Sequence, residues 1–225
     1  LTTGTHNVAV GKEALQDCQT GANNIAVGYR AMRVNKASYN VAIGNQALEV
    51  NDTGTANLAI GAHALDANTT ASNNVALGDH ALSSNTTGAS NVAVGRDSLR
   101  SNQTGFTANT AVGDATLRAN TTGSGNVAFG YTAMREGTTR SNNTAIGFEA
   151  LRLGTSGNNN TALGSTALTN NTAHNNTALG YLALKLNTTG TQNVAVGALA
   201  LDANTTASNN IAIGYLSLTA NTTGT

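Results

Sequence analysis

Apolar residues recur along this chain in short bursts on a fixed beat, never in long runs. The repeated unit is Asn-x-Ala-φ-Gly, where φ is a large apolar residue. Its Asn falls at Asn7, Asn24, Asn40, Asn57, Asn74, Asn91, Asn109, Asn126, Asn143, Asn160, Asn176, Asn193 and Asn210. Successive copies lie 17 residues apart, except for two spacings of 16 and one of 18. Within a burst the apolar character alternates. In Asn40-Val41-Ala42-Ile43-Gly44, Val41 and Ile43 fall on one side and Ala42 on the other, which is the period of a β-strand. The Ala column never varies, and a second apolar column follows at Leu15, Met32, Leu48, Leu65 and onward to Leu218. The Ala-Leu stretch is too short for a helix, which needs about 12 residues in isolation. Asn-Thr-Thr-Gly then interrupts it, so short strands and turns are predicted instead.

The irregular spacings locate the loop. The extra residue falls in Gly105-Phe106-Thr107-Ala108-Asn109, and the two short spacings lose one in Asn35–Asn40 and in Asn171–Asn176. All three changes lie between the Asn-Thr-Thr element and the next core Asn, and length variation is tolerated on surface turns. Gly reaches positive φ freely, and Asn tolerates it, so both are assigned to turns.

These features predict an all-β parallel β-solenoid, a β-roll of 13 short coils, forming one repeat domain over residues 1–225. The residues assigned to the repeat core are exemplified by Ala9, Val10, Gly11 and Leu15; Ala42, Ile43, Gly44 and Leu48; Ala76, Leu77, Gly78 and Leu82; Ala145, Ile146, Gly147 and Leu151; and Ala195, Val196, Gly197 and Leu201. A coil of this length has a perimeter of about 56 Å before turns are subtracted. So narrow a coil cannot bury every large apolar residue. One apolar column is therefore expected to face partner chains, and closed three-fold symmetry suits an elongated fibre.

The Asn-x-Ala-x-Gly unit resembles the head repeats of trimeric autotransporter adhesins. That resemblance implies a left-handed parallel β-roll assembled as a homotrimer. Their repeat is shorter, so the Asn-Thr-Thr-Gly stretch is a departure. The full unit, as in residues 176–190, is similar to repeats of bacterial and viral tail-fibre-like proteins, which often end in a self-cleaving trimerising domain. The chain opens inside a repeat at Thr2-Thr3-Gly4-Thr5 and closes in the same phase at Thr222-Thr223-Gly224-Thr225. The expectation is a segment of a longer fibre, with targeting signals outside it.

Composition narrows the function. Charged residues make up 10% of the chain, the formal net charge is zero, and proline and tryptophan are absent. No basic block offers a footprint for nucleic acid, and no apolar run is long enough to enter a membrane as a helix. The single cysteine, Cys18, forms no internal disulfide and is expected to be an incidental exposed thiol. No acidic pair recurs as glycan hydrolysis requires, so the chain is read as a non-enzyme without a cofactor. His63, His80 and Asp97 share one repeat position in successive coils, which would place them within reach of a transition metal. A row of exposed polar side chains is the plainer reading. Calcium ligands of the nonapeptide type are absent. Asn-x-Thr sequons recur at Asn51, Asn68, Asn85, Asn102, Asn120, Asn187, Asn204 and Asn221, with others at Asn142 and Asn159; turn chemistry accounts for most of them. Tyr29, Tyr131, Phe148, Tyr181 and Tyr215 share the position after the repeat Gly, where they suit either strand packing or stacking on sugars.

The expected function is a structural and adhesive fibre module, extracellular on a cell surface or virion. Its partners would be copies of itself and a host-surface receptor, glycan or matrix. An ice-binding solenoid with Thr-rich turns is the alternative, its ladder made irregular at Thr20, Asp52-Thr53, Gln103-Thr104 and Thr172-Ala173. A tailspike glycan hydrolase is the third reading.

Overall fold

A computed structural model describes residues 4–18, 20–102 and 108–224 of the chain. The extra residue of the 18-residue spacing falls among residues 105–109, of which 105–107 lie outside the described residues, as do Thr2, Thr3, Gln103, Thr104 and Thr225. The fold is all-β, a parallel β-solenoid of about 12 turns.

The chain divides into two compact units, Leu1–Val112 and Gly113–Thr225. The first carries β1 (Val8–Val10), β2 (Ile25–Val27), β3 (Val34–Asn35), β4 (Val41–Ile43), β5 (Val50–Asn51), β6 (Leu58–Ile60), β7 (Val75–Leu77), β8 (Val92–Val94) and β9 (Thr110–Val112). All but β3 and β5 pair in chain order in one parallel ladder, and β3 pairs with β5 alongside it. The second unit carries β10 (Val127–Phe129), β11 (Thr144–Ile146), β12 (Thr161–Leu163), β13 (Thr177–Leu179), β14 (Val194–Val196) and β15 (Ile211–Ile213), each paired in parallel with the next. Ala always stacks on Ala, as in Ala42 on Ala59 and Ala145 on Ala162. A one-residue slip would turn these alanines outward, so the pattern fixes the register.

Each strand of the long ladder is three residues long because the Gly after it turns the chain. Gly61 has φ of 132°, and a Cβ there would meet the carbonyl of Gly78 in the next coil. Only glycine permits both the conformation and the approach.

The Ala-Leu segment is a turn in most coils rather than a second strand. In the coil after β4, Gln46 and Leu48 have φ of 55° and 50°, and the same alternation recurs at His63 and Leu65. Such left-handed residues cost roughly 1–2 kcal/mol each. The cost is met by burial: Leu48, Leu65, Leu82, Leu151 and Leu201 are fully buried, and the Leu65 amide donates to the Ala81 carbonyl of the next coil at 3.0 Å.

The core is smaller than the sequence suggests. Ala42, Ala76, Ala145 and Ala195 point inward and are inaccessible, and Leu15 is buried. Val10, Ile43, Leu77 and Ile146, assigned to the core from the sequence, lie exposed on the outer side of their strands, and Val196 is half-buried. Strand alternation dictates this, because turning Ala42 inward turns Ile43 out. Ala9, in β1, is also exposed. The apolar columns are thus divided, with Leu inside and φ outside.

Candidate binding surface

The interior determines what each coil leaves outside. Two asparagine ladders run through it. In the first, the Asn57 amide N–H donates to Asn40 Oδ1 at 2.9 Å, and Asn57 Nδ2 donates to the Ala71 carbonyl at 2.8 Å. In the second, Asn51 Nδ2 donates to Asn35 Oδ1 at 2.7 Å, and Asn68 Nδ2 to Asn51 Oδ1 at 2.9 Å. These side chains are fully buried, not turn decorations. A buried amide left without partners costs about 1–3 kcal/mol, which explains why this polar residue recurs so strictly.

The second ladder corrects two expectations. Cys18 occupies an Asn position, so it is buried, with Sγ 3.8 Å from the Gly21 carbonyl, and is not an exposed thiol. The repeated sequons at Asn51, Asn68, Asn85, Asn102, Asn120, Asn187 and Asn204 place their Nδ2 inside the coil, closed to modification in the folded chain. Asn142 and Asn159 stand outside it. In ordinary coils the ladder Asn reaches the carbonyl three residues on, as Asn51 does to Gly54; in the short ones Asn35 and Asn171 reach Ala37 and Ala173, two residues on. The residue lost is therefore the second Thr of Asn-Thr-Thr, which is exposed elsewhere.

One place breaks the ladder. Gly137 and Gly154 stand where Asn is expected, and Arg140 stands where its neighbours carry Gly or Ala. The guanidinium of Arg140 lies inside the coil against Gly137, where an Asn side chain would begin. Its Nη1 donates to the Leu151 carbonyl at 2.8 Å, while Nε and Nη2 meet no partner among the described residues. Burial pushes its pKa down to about 10. Sequence reading missed this residue, although the paired loss of two asparagines beside one odd arginine was visible.

Outside, polar chemistry is largely committed. Arg30 Nε meets Glu13 at 2.6 Å, and Arg33 spans Glu49 at 3.0 Å and Asp17 at 3.3 Å. The hydrogen bond from Arg30 holds the Glu13 carboxyl below its ordinary range. His63 and His80 do stack, with ring centroids 4.9 Å apart. Each Nδ1 instead faces a carboxylate, Asp66 at 3.2 Å and Asp79 at 3.0 Å, and Asp97 faces Arg100 at 3.3 Å. Burial raises the Asp66 carboxyl, against the pull of His63. No group of three metal-ligating side chains occurs among the described residues. The first Thr of several turns donates to the next coil, as Thr69 Oγ1 does to the Thr86 carbonyl at 3.1 Å and Thr121 to Thr138 at 3.0 Å. Of the two hydroxyl columns that would order water, one is therefore largely committed to the protein.

What remains is an apolar outer face. Its columns include Ile43 and Leu77 in the first unit, and Phe129, Ile146, Leu163 and Leu179 in the second, all exposed. Beside it runs the aromatic column, with Tyr131, Phe148, Tyr181 and Tyr215 more than half-exposed or close to it. Among the described residues no helix is long and apolar enough to cross a membrane. Comparison with family models, curated proteins and solved structures gave no match for the chain.

Proposed function

We propose that the chain is a structural and adhesive fibre module, built as a left-handed homotrimer and displayed outside the cell, on a cell surface or on a virion. The observation that carries this reading is the outward φ column. Each coil fills its own interior with Ala, Leu and Asn, and has no internal use for Ile43, Leu77 or Ile146. The column is nonetheless apolar in every copy of the repeat. Contiguous apolar surface of this kind marks protein contact, and three copies around one axis would bury it with closed symmetry. The resemblance to adhesin heads and tail-fibre repeats points the same way. The remaining surface is polar, repetitive and nearly neutral, which suits display toward a receptor, glycan or matrix rather than catalysis.

Sedimentation equilibrium tests the assembly. Three chains per particle are expected. The double variant Leu77→Glu with Ile146→Glu should dissociate to monomers while keeping its β-type circular dichroism. A compact, stable wild-type monomer would overturn the trimer.

A further inference from the structure

Three positions of the second unit depart together from the repeat. Gly137 and Gly154 replace the ladder Asn in two successive coils, and Arg140 replaces the Gly or Ala of the same turn. Before and after them in sequence the second ladder is regular. Asn102 Nδ2 donates to Asn85 Oδ1 at 2.9 Å, and Asn187 Nδ2 to Asn171 Oδ1 at 2.7 Å. Side-chain bonds from 120 to 137, 137 to 154 and 154 to 171 cannot form, because each needs an Asn where Gly stands. Glycine also raises the entropy lost when this segment is ordered.

The backbone registers the loss. From the first Thr of the turn the amide reaches the next coil at 2.9 to 3.2 Å at Thr69, Thr121, Thr172, Thr188 and Thr205, but at 3.4 Å from Thr138 to Thr155. One side chain stands in for the missing rungs. Arg140 Nη1 donates to the Leu151 carbonyl of the next coil at 2.8 Å, a strap between the two. The strap is a costly one. Its Nε and Nη2 edge faces Gly137, where a Cβ would overlap it, and neither nitrogen meets an acceptor among the described residues. Closing this turn therefore carries a desolvation cost that an Asn rung does not.

The strand side of the same coils has no such defect. Thr144 N–H donates to the Asn160 carbonyl at 2.9 Å, Asn143 N–H to Asn126 Oδ1 at 3.1 Å, and Asn160 N–H to Asn143 Oδ1 at 2.8 Å. The first ladder thus passes through unbroken. It also fixes one end of the altered turn, since Asn126 Nδ2 holds the Arg140 carbonyl at 2.7 Å.

We infer that the turn at residues 136–140 is a built-in opening point of the solenoid, hinged on the strand side and latched by the Arg140 side chain. When the bond from Nη1 to Leu151 breaks, the turn swings out and the guanidinium enters water, while β10 and β11 stay paired. Local opening of this kind lies below global unfolding in free energy. In an array held by nearest neighbours it stays local. The solenoid thereby has one internal turn that yields before its ladders do. The inference goes beyond the fibre reading and holds for a single chain or an assembly.

Native-state hydrogen exchange of the whole chain, resolved by peptide mass spectrometry, tests it. Protection at Glu136 and Thr138 should be lower by about tenfold or more, roughly 1.4 kcal/mol of opening free energy, than at Leu186 and Thr188, which hold the same repeat positions. The strand amides of Val127 and Thr144 should match those of Thr177 and Val194. Arg140→Ala empties the space beside Gly137 and removes the strap. It should lower protection at Glu136 and Thr138 about tenfold further, with the strand amides and circular dichroism unchanged. Equal protection in the two wild-type turns overturns the opening point, and joint exchange of turn and strand overturns the hinge. A turn in Arg140→Ala that is unaltered, or better protected, overturns the latch. Sedimentation of the same samples reads subunit number separately, so failure of the fibre reading and failure of this inference are distinguishable.

Discussion

Arg140 is the residue whose environment is least like its neighbours'. A guanidinium in a coil interior carries a desolvation cost, since charge is removed from water and two of its nitrogens gain no acceptor. It persists because Gly137 and Gly154 leave it room, so the three positions form one unit of substitution. Gly137→Asn alone should then destabilise the second unit by about 2 kcal/mol or more, because the new side chain meets the guanidinium. The double change Gly137→Asn with Arg140→Gly removes the side chain that the new Asn would meet and should recover most of that loss. Urea denaturation of the wild type, Gly137→Asn, Arg140→Gly and the double variant reads both effects, and a non-additive cycle is the expected signature.

At the scale of one coil, what the sequence made plain and what it hid have separate causes. Strand position and register followed from Asn-Val-Ala-Ile-Gly, because alternation has only one strand solution. The loop followed from residue loss at Asn35–Asn40, now traced to the missing second Thr. The inner and outer columns were harder. Asn and Leu both sit at positions that propensity assigns elsewhere: Asn prefers turns, and Leu disfavours positive φ. Tertiary stacking overrides both, since an Asn bonded to the coils on either side is worth more inside than out. The aromatic column was legible as a pattern, but its exposure follows only once the register is fixed. This division between columns is measurable. Leu65→Ala removes a buried side chain and should cost about 2–5 kcal/mol. Leu77→Ala removes an outward one and should leave chain stability nearly unchanged while weakening self-association. Thermal unfolding of both variants at a dilution that dissociates the assembly separates the two.

For the molecule as a whole, every coil is held by its immediate neighbours. The bonds of both asparagine ladders and of the strands join residues 15 to 18 apart, or lie within one coil. Stability in such an array is approximately a sum of coil and interface terms. Deleting residues 58–74 joins Asn57 to Val75 in phase and should lower the unfolding midpoint only modestly, as calorimetry would register. Removing half that segment should abolish cooperative unfolding. The same locality has a consequence in inheritance. Misaligned recombination between near-identical repeats will add or remove whole coils and still encode a chain that folds, so length can drift without loss of structure. The Arg140 coil is the exception. A crossover falling between the codons for Gly137 and Gly154 separates the arginine from one of its two glycines. That stretch is a fixed landmark in an array whose other units are interchangeable.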